Sequence, residues 1–396
     1  MEKTMNKTRF ASRMHSMPGS FIREILKVTS QPDVISFAGG LPNPACFPAE
    51  AIARAAQKVL SEDKSPVLQY GVSEGYYPLR KFISERYRTH YDMEISPEET
   101  LILNGSQQGL DLAGKLFIEK GDKILLEKPS YLGAIQAFSA YEPEFVTMPL
   151  LDDGPDIECF SNILKKEKIR LFYSIPNFQN PSGISYSMEK RKAVSELLKE
   201  HDTILVEDDP YGEIRFGGEI LPPLKKLRPD NTLLLGSFSK IIAPGLRLGW
   251  VAASKNIIEK MIVAKQASDL HSNFLSQRII EQFLQDEDLD EHIGRIRSAY
   301  RLQCELMLQA LEKYFPKSCH WTRPQGGMFI WLTLPPELNA YDFLEKAAGY
   351  KIVFVPGKTF YATEAEENTV RLNFSNSTPE QIENGIRILG KILAGK

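Results

Sequence analysis

The sequence predicts an α/β protein. A large three-layer αβα domain on a mostly parallel sheet is expected, with a smaller α+β domain beside it. Three observations carry this expectation. From about residue 96, short apolar runs alternate with helical stretches over some 150 residues, which calls for right-handed crossovers. The runs, such as TLILN at 100–104 and DTILVEDD at 202–209, have the apolar stretches of strands covered on both faces. The length of 396 residues suits two to three domains, and 42% apolar with 25% charged residues suits a globular rather than a disordered chain.

The elements follow in order. Residues 1–30 open basic and polar, and FIREILKVT then predicts a short helix that Ser20 can cap. DVISFAGGLPNPACFP is rich in Gly and Pro and reads as an extended arm. Apolar spacing predicts helices over Ala49 to Leu60 and around Tyr77 to Tyr91. TLILN, DKILLE (122–127), IRLFYSIP (169–176), DTILVEDD and NTLLLGSFS (231–239) read as strands, the first three each followed by a helical stretch. From about 254 the pattern is helical and charged. A long helix is expected over roughly 286–314, then RPQGGMFIWLTL, a helix at YDFLEKAAG, the runs IVFVPG and TVRLNFS, and a last helix. The expected division is 1–45 as a helix and arm belonging with the small domain, 46–288 as the large domain, and 289–396 as the small one.

Composition excludes several functions. With 48 Lys+Arg against 51 Asp+Glu the formal net charge is −3, so no nucleic-acid partner is expected. No 18-residue apolar run and no signal-like start exist, so neither a membrane partner nor secretion is expected. Four cysteines without a C-x-x-C pair read as reduced thiols of a cytoplasmic protein. The six histidines are scattered without ligand spacing, so no metal is expected. Gly357-Lys358-Thr359 lacks the leading glycine of a phosphate loop, since Ile352 stands there.

In parallel α/β sheets ligands sit beyond the carboxyl ends of the strands. After TLILN comes Gly105-Ser106-Gln107-Gln108, a turn into a helix that suits a phosphate, or else a helix cap by Ser106. After IRLFYSIP comes the loop Asn177-Phe178-Gln179-Asn180-Pro181-Ser182-Gly183. After DTILV come Glu207, Asp208 and Asp209, which are costly if buried unless paired, or else form a solvated strand end. After NTLLLG come Ser237, Ser239 and Lys240, a lysine in an apolar, small-residue stretch, with Arg247 seven residues on. Desolvation turns such a lysine into a nucleophile. A phosphate cradle, a carboxylate and a buried amine together match pyridoxal phosphate.

The segment S-F-S-K-I-I-A-P-G-L-R-L-G-W resembles the lysine segment of fold-type I, class I/II pyridoxal-phosphate aminotransferases. FAGGLP, LQYG, GSQQGLDL, PSYLGAIQAF, PNFQNPSG, VEDDPY and GGMFIW are similar to the 2-aminoadipate/kynurenine aminotransferase branch, in order along nearly the whole chain. The resemblance implies the following roles. Lys240 holds the cofactor aldehyde and moves the proton. Asp208, three residues before Tyr211, pairs with the ring nitrogen. Tyr211 and Asn180 meet the ring hydroxyl, and Tyr131 stacks on the ring. Ser106, Gln107, Ser237, Ser239 and Arg247 hold the phosphate, with Tyr70 reaching the phosphate of a neighbouring subunit. Arg371 clamps the substrate α-carboxylate, which Gly40 lets approach the backbone. Arg23 meets an acidic substrate side chain, or is an exposed helix charge. His271 matches a segment near the entrance of the site and is read as structural.

The resemblance thus implies transfer of an amino group from an L-amino acid (2-aminoadipate, aromatic, branched or acidic) to a 2-oxo acid, 2-oxoglutarate foremost. It also implies a ping-pong cycle and a homodimer with shared sites. A C–S lyase, racemase or decarboxylase on the same fold is the competing reading. A non-enzymatic amino-acid sensor fused to a winged helix is disfavoured, because only 36 residues precede Phe37.

Overall fold

The computed structural model describes residues 9–11, 13–16 and 33–395. The helix expected over 21–29, with Ser20 and Arg23, lies outside the described residues. The described chain runs through β1 (Ile35–Ser36), helices Ala49–Glu62 and Tyr77–Tyr91, and β2 (Thr100–Leu103). Helix Ser106–Phe117, β3 (Lys123–Lys128), helix Leu132–Ser139, β4 (Glu144–Leu151) and β5 (Gly154–Pro155) follow. Next come helix Ile157–Lys166, β6 (Ile169–Ser174), helix Met188–Lys199, β7 (Ile204–Asp208), β8 (Thr232–Ser237) and β9 (Gly249–Ala252). These strands form one sheet in the order β2-β9-β8-β7-β6-β3-β4-β5. The pairs β3–β4, β3–β6, β6–β7 and β7–β8 are parallel, as the strand–helix alternation predicts.

Alternation along the strands builds three layers. Successive side chains of a strand point to opposite faces. Leu125, Phe172 and Leu205 pack on one face with Phe160, Leu164, Val194 and Leu198 of the helices Ile157–Lys166 and Met188–Lys199. Their strand neighbours Leu126, Tyr173 and Val206 belong to a separate core, with Leu110, Ala113 and Phe138 of the helices on the other face. A sheet buried on both faces needs apolar residues at both parities, so its strands read as runs.

Strands β4, β5 and β9 and a two-residue strand at His320–Trp321 were not expected from the sequence, and β5 too has only two residues. Strand β4 is only half-buried, so it carries no continuous apolar run. Strand β9 has four residues and pairs antiparallel with both β2 and β8. The chain turns back after β8 through a short loop with a one-turn helix at Pro244–Leu246, leaving no room for the crossover a parallel strand needs.

The rest follows the expected α+β pattern. Helix Phe274–Asp286 ends in the acidic segment, and Asp288 caps the helix Leu289–Tyr314 by accepting the N–H groups of Asp290 and Glu291. Strands β10 (His320–Trp321), β11 (Phe329–Thr333), β12 (Ile352–Val353), β13 (Val355–Pro356) and β14 (Thr369–Asn373) alternate with helix Ala340–Ala348, and helix Pro379–Leu393 comes last. A four-stranded antiparallel sheet has the order β10-β11-β14-β13. Strand β1, within the expected arm, pairs in parallel with β12. Among the described residues no helix is long and apolar enough to cross a membrane.

Candidate active site

A cavity of about 280 Å³ opens where β2, β6, β7 and β8 end. Its walls include Gly40, Ser106, Gln107, Tyr131, Asn180, Asp208, Tyr211, Ser237, Ser239, Lys240, Arg247 and Arg371. Of the described residues to which the resemblance gives a place in or near the site, Tyr70 and His271 lie elsewhere. Tyr70 is 79% exposed and does not line this cavity. His271 packs edge-on against Tyr70 with ring centroids 5.7 Å apart, and its Nε2 accepts the Gly71 N–H at 3.4 Å.

The phosphate-like corner is built by backbone. Gly105, not Ser106, occupies the cap position of the helix Ser106–Phe117, and the helix has no side-chain cap. The reading of Ser106 as a plain cap is therefore corrected: its backbone already belongs to the helix. Gly105 has φ +77°, a backbone conformation that favours glycine, and a Cβ there would stand 2.8 Å from Arg247 Nη2 and push that guanidinium aside. The Arg247 guanidinium donates to the carbonyls of Pro244 at 3.3 Å and Asn104 at 3.5 Å. Among the described residues it has no carboxylate partner. The Ser239 N–H donates to Ser237 Oγ at 3.1 Å.

The three consecutive acids divide by orientation. Glu207 accepts the N–H groups of Leu224 and Lys225 at 2.7 and 2.8 Å, capping a one-turn helix. Asp209 accepts from Asn177 Nδ2 and the Gly212 N–H, both at 3.0 Å. Only Asp208 faces the cavity. Its Oδ2 accepts the Tyr173 hydroxyl at 3.0 Å, and its Oδ1 is buried without a partner. Burial pushes this carboxyl up to about 7, against the pull of Tyr173. None of the three forms a solvated strand end: Glu207 and Asp208 are buried, and Asp209 is partly so.

Lys240 donates from Nζ to the Gly40 carbonyl at 3.0 Å. Burial lowers its ammonium to about 8, helped by the positive charges of Arg371 and Arg247. At pH 7.5 about a quarter of such an amine is neutral, against roughly one in a thousand for an ordinary lysine.

Arg371 sits on β14 and is 1% exposed. It donates to Asn180 Oδ1 at 2.9 Å and to the Ala38 carbonyl at 2.6 Å, while its Nε is buried without a partner. The rings of Phe329 and Phe360 lie 4.4 and 4.9 Å from its guanidinium carbon. Burial lowers it to about 10, so it stays charged at neutral pH. Asn180 also hydrogen-bonds Tyr211. Tyr131 lies over the Gly105–Gln107 turn, its hydroxyl 3.5 Å from Gln107 Oε1.

Sequence reasoning missed Tyr173, Phe329 and Phe360. Tyr173 and Phe329 stood within quoted strand segments, but no spacing tied either to its partner. Among the described residues the cavity is lined by three basic side chains, Lys240, Arg247 and Arg371, and one carboxylate, Asp208. Such an inventory takes anionic groups at two ends, a carbonyl at the lysine, and a protonated ring nitrogen at the orphaned carboxylate oxygen. Pyridoxal phosphate with an amino acid has that set of groups, so the residues fit the cofactor.

Comparison with known proteins agrees. The family model for class I and II aminotransferases matches residues 32–389. The chain is 42% identical over 390 residues to aromatic-amino-acid aminotransferase 1 of Thermococcus litoralis, covering 97% of this chain and 94% of that protein. It is 43% identical over 380 residues to the 2-aminoadipate transaminase of Thermus thermophilus, covering 95% and 94%. A crystal structure of the Pyrococcus horikoshii kynurenine aminotransferase superposes with a TM-score of 0.93 at 39% identity, covering 98% of this chain and 97% of that one. With its lysine, its carboxylate and its cations gathered at the strand ends of this fold, the chain belongs to the class I and II aminotransferases and takes pyridoxal phosphate as its cofactor.

Proposed function

We propose that this aminotransferase takes its amino group from 2-aminoadipate or an aromatic, branched or acidic L-amino acid and passes it to 2-oxoglutarate in a ping-pong cycle. One observation carries the reading: a lysine lowered to about 8 shares a cavity with a buried, half-unpartnered carboxylate and two arginines that, among the described residues, lack acidic partners. The relatives named above, which act on aromatic amino acids, 2-aminoadipate and kynurenine, support the aromatic and 2-aminoadipate part of this range.

When bound, the cofactor supplies an aldehyde for amines and a ring that stabilises negative charge at the substrate Cα. The chain's own residues do the rest. Ser106, Gln107, Ser237, Ser239 and Arg247 would hold the phosphate. Tyr131 would cover the ring, and Asn180 with Tyr211 would meet its hydroxyl. Asp208 would keep a proton on the ring nitrogen, a pairing that offsets the cost of its burial. Lys240 would hold the aldehyde and then, as a free amine, carry the proton from the substrate Cα. Arg371 would grip the α-carboxylate beside Gly40, fixing which bond at Cα is broken.

A half-reaction scan tests this reading. Mixed with single amino acids and no 2-oxo acid, the cofactor's absorption should pass to the pyridoxamine band, fastest with the best donor. No such band with any amino acid would instead favour a lyase, racemase or decarboxylase.

The lowered lysine has its own signature. A neutral amine attacks the aldehyde and an ammonium does not. The rate at which cofactor-free protein captures pyridoxal phosphate should therefore rise with pH and level off above about 8. A midpoint near 10, seen by stopped-flow absorbance, would show an ordinary lysine.

The remaining proposals are a cytoplasmic location, the division into 46–288 and 289–396 with 1–45, and a homodimer. For the dimer, Leu68, Tyr70, Val72 and Leu270 are exposed apolar side chains, and Leu41 is exposed at the cavity itself. Tyr70 would serve a neighbour's phosphate. Sedimentation should give twice 44.8 kDa. A fully active monomer would refute shared sites.

A further inference from the structure

Glu127, on β3, is 1% exposed and does not line the cavity. Four donors converge on its carboxylate. They are the Tyr186 hydroxyl, Ser174 Oγ at 3.0 Å, Gln179 Nε2 at 2.7 Å and the Ile175 N–H. Among the described residues no basic side chain pairs with it. A buried carboxylate without a countercharge costs several kcal/mol, and burial pushes this one up to about 7 despite its donors. Packing alone is better served by an apolar residue of the same size.

The donors point to a purpose. Gln179 is fully used: its Nε2 gives one hydrogen to Glu127 and the other to the Pro129 carbonyl at 2.7 Å. Its Oε1 accepts the Ser182 N–H at 3.0 Å. Its backbone N–H donates to the Ile184 carbonyl at 2.8 Å, and its carbonyl accepts the Gly183 N–H at 2.6 Å. The loop 177–183 is thus folded around Gln179, and Gln179 is anchored on the end of β3. The next residue, Asn180, holds Arg371 across 191 positions of sequence. A buried chain of contacts runs Glu127–Gln179–Asn180–Arg371 and joins the central sheet to β14.

We propose that Glu127 is a positioning residue for the substrate clamp, fixing Asn180 against Arg371 through Gln179. The inference rests on the reading of Arg371 as the carboxylate site. Gln179→Met keeps the side-chain length and removes both amide hydrogens. In the holoenzyme, binding of glutarate, which carries carboxylates but no amine, should weaken about tenfold, and KM for the amino acid should rise as much with kcat within about twofold. Glu127→Gln should act in the same direction. The double variant should be no worse than Gln179→Met, because the two act as one unit. Ser174→Ala, which removes a donor from the same carboxylate but not from the loop, should lower the melting temperature and leave glutarate binding unchanged.

Unchanged glutarate binding in Gln179→Met would overturn the proposal. So would equal weakening in Ser174→Ala, which would make the cluster merely structural. Should Glu127→Gln not fold, the contrast between Gln179→Met and Ser174→Ala still decides. Arg371→Lys separates the two readings: glutarate binding that survives it would place the carboxylate site elsewhere, and the inference falls with that reading.

Discussion

Lys240→Ala should slow the half-reaction by at least ~10⁴-fold, the largest effect expected of any single change here. On the proposed roles two services would disappear together: the amine that would hold the aldehyde and the base that would take the Cα proton. Among the described residues no neighbour replaces it. The other cations lining the cavity are Arg247 and Arg371, and an arginine does not give up its proton in the physiological range. The corner proposed for the phosphate, by contrast, consists of the Ser106 helix end and Arg247 and would not depend on the lysine. The variant should therefore still bind pyridoxal phosphate, with an unlinked-aldehyde spectrum. Stopped-flow absorbance with the best donor checks the rate, and equilibrium dialysis checks the binding. A fall of less than tenfold would remove Lys240 from the chemistry.

Asp208→Asn should cost about 10³-fold in the same half-reaction, in keeping with the loss of a preorganised charge facing a developing one. The amide preserves size and can still accept the Tyr173 hydroxyl, so the fold should survive. It cannot hold a full proton on a ring nitrogen as a carboxylate does. The buried, unpartnered Oδ1 is where that difference is felt. Removing an unpaired buried charge also relieves desolvation. The cofactor-free variant should therefore melt at least as high as the parent while turning over far more slowly. Melting by calorimetry beside single-turnover rates reads both. A parallel loss of stability and rate would instead mean that Asp208 is structural.

The sheet and the acid–lysine pair were legible because both rest on local patterns. A sheet covered on both faces forces apolar runs, and polar residues just past such a run stand out, as the row Glu207-Asp208-Asp209 and Lys240 do, although only the resemblance singled out Asp208 within its row. Strand β4 is half-exposed and leaves no run to read, and β9 lies in the apolar stretch 241–253 directly after the lysine loop, with no helical stretch before it to mark it as a strand of the alternation. The partners inside the site were hidden for a different reason. Tyr173 reaches Asp208 from 35 residues away, and Arg371 reaches Asn180 from 191. Those meetings depend on which strands lie side by side, and that order is written in no single segment. Phe329 and Phe360 bracket Arg371 from two further segments, and in sequence each is an ordinary core aromatic. Ser106 was open between two uses, and only the position of Gly105 at the cap separates them.

The row Glu207-Asp208-Asp209 carries one further consequence. Its members share a chemistry and differ in direction, which the backbone alone assigns. Advancing the strand by a single residue, about 3.3 Å, would turn each carboxylate to the opposite face of the sheet. Asp208 would then stand in the place of Glu207 and end a helix, and Asp209 would stand where Asp208 now meets the cavity. An insertion or deletion in β7 is therefore a frame error in the site, whereas the same event in the loop before Leu224 only moves a helix cap. What this protein has to preserve along that strand is a count of residues as much as their kind.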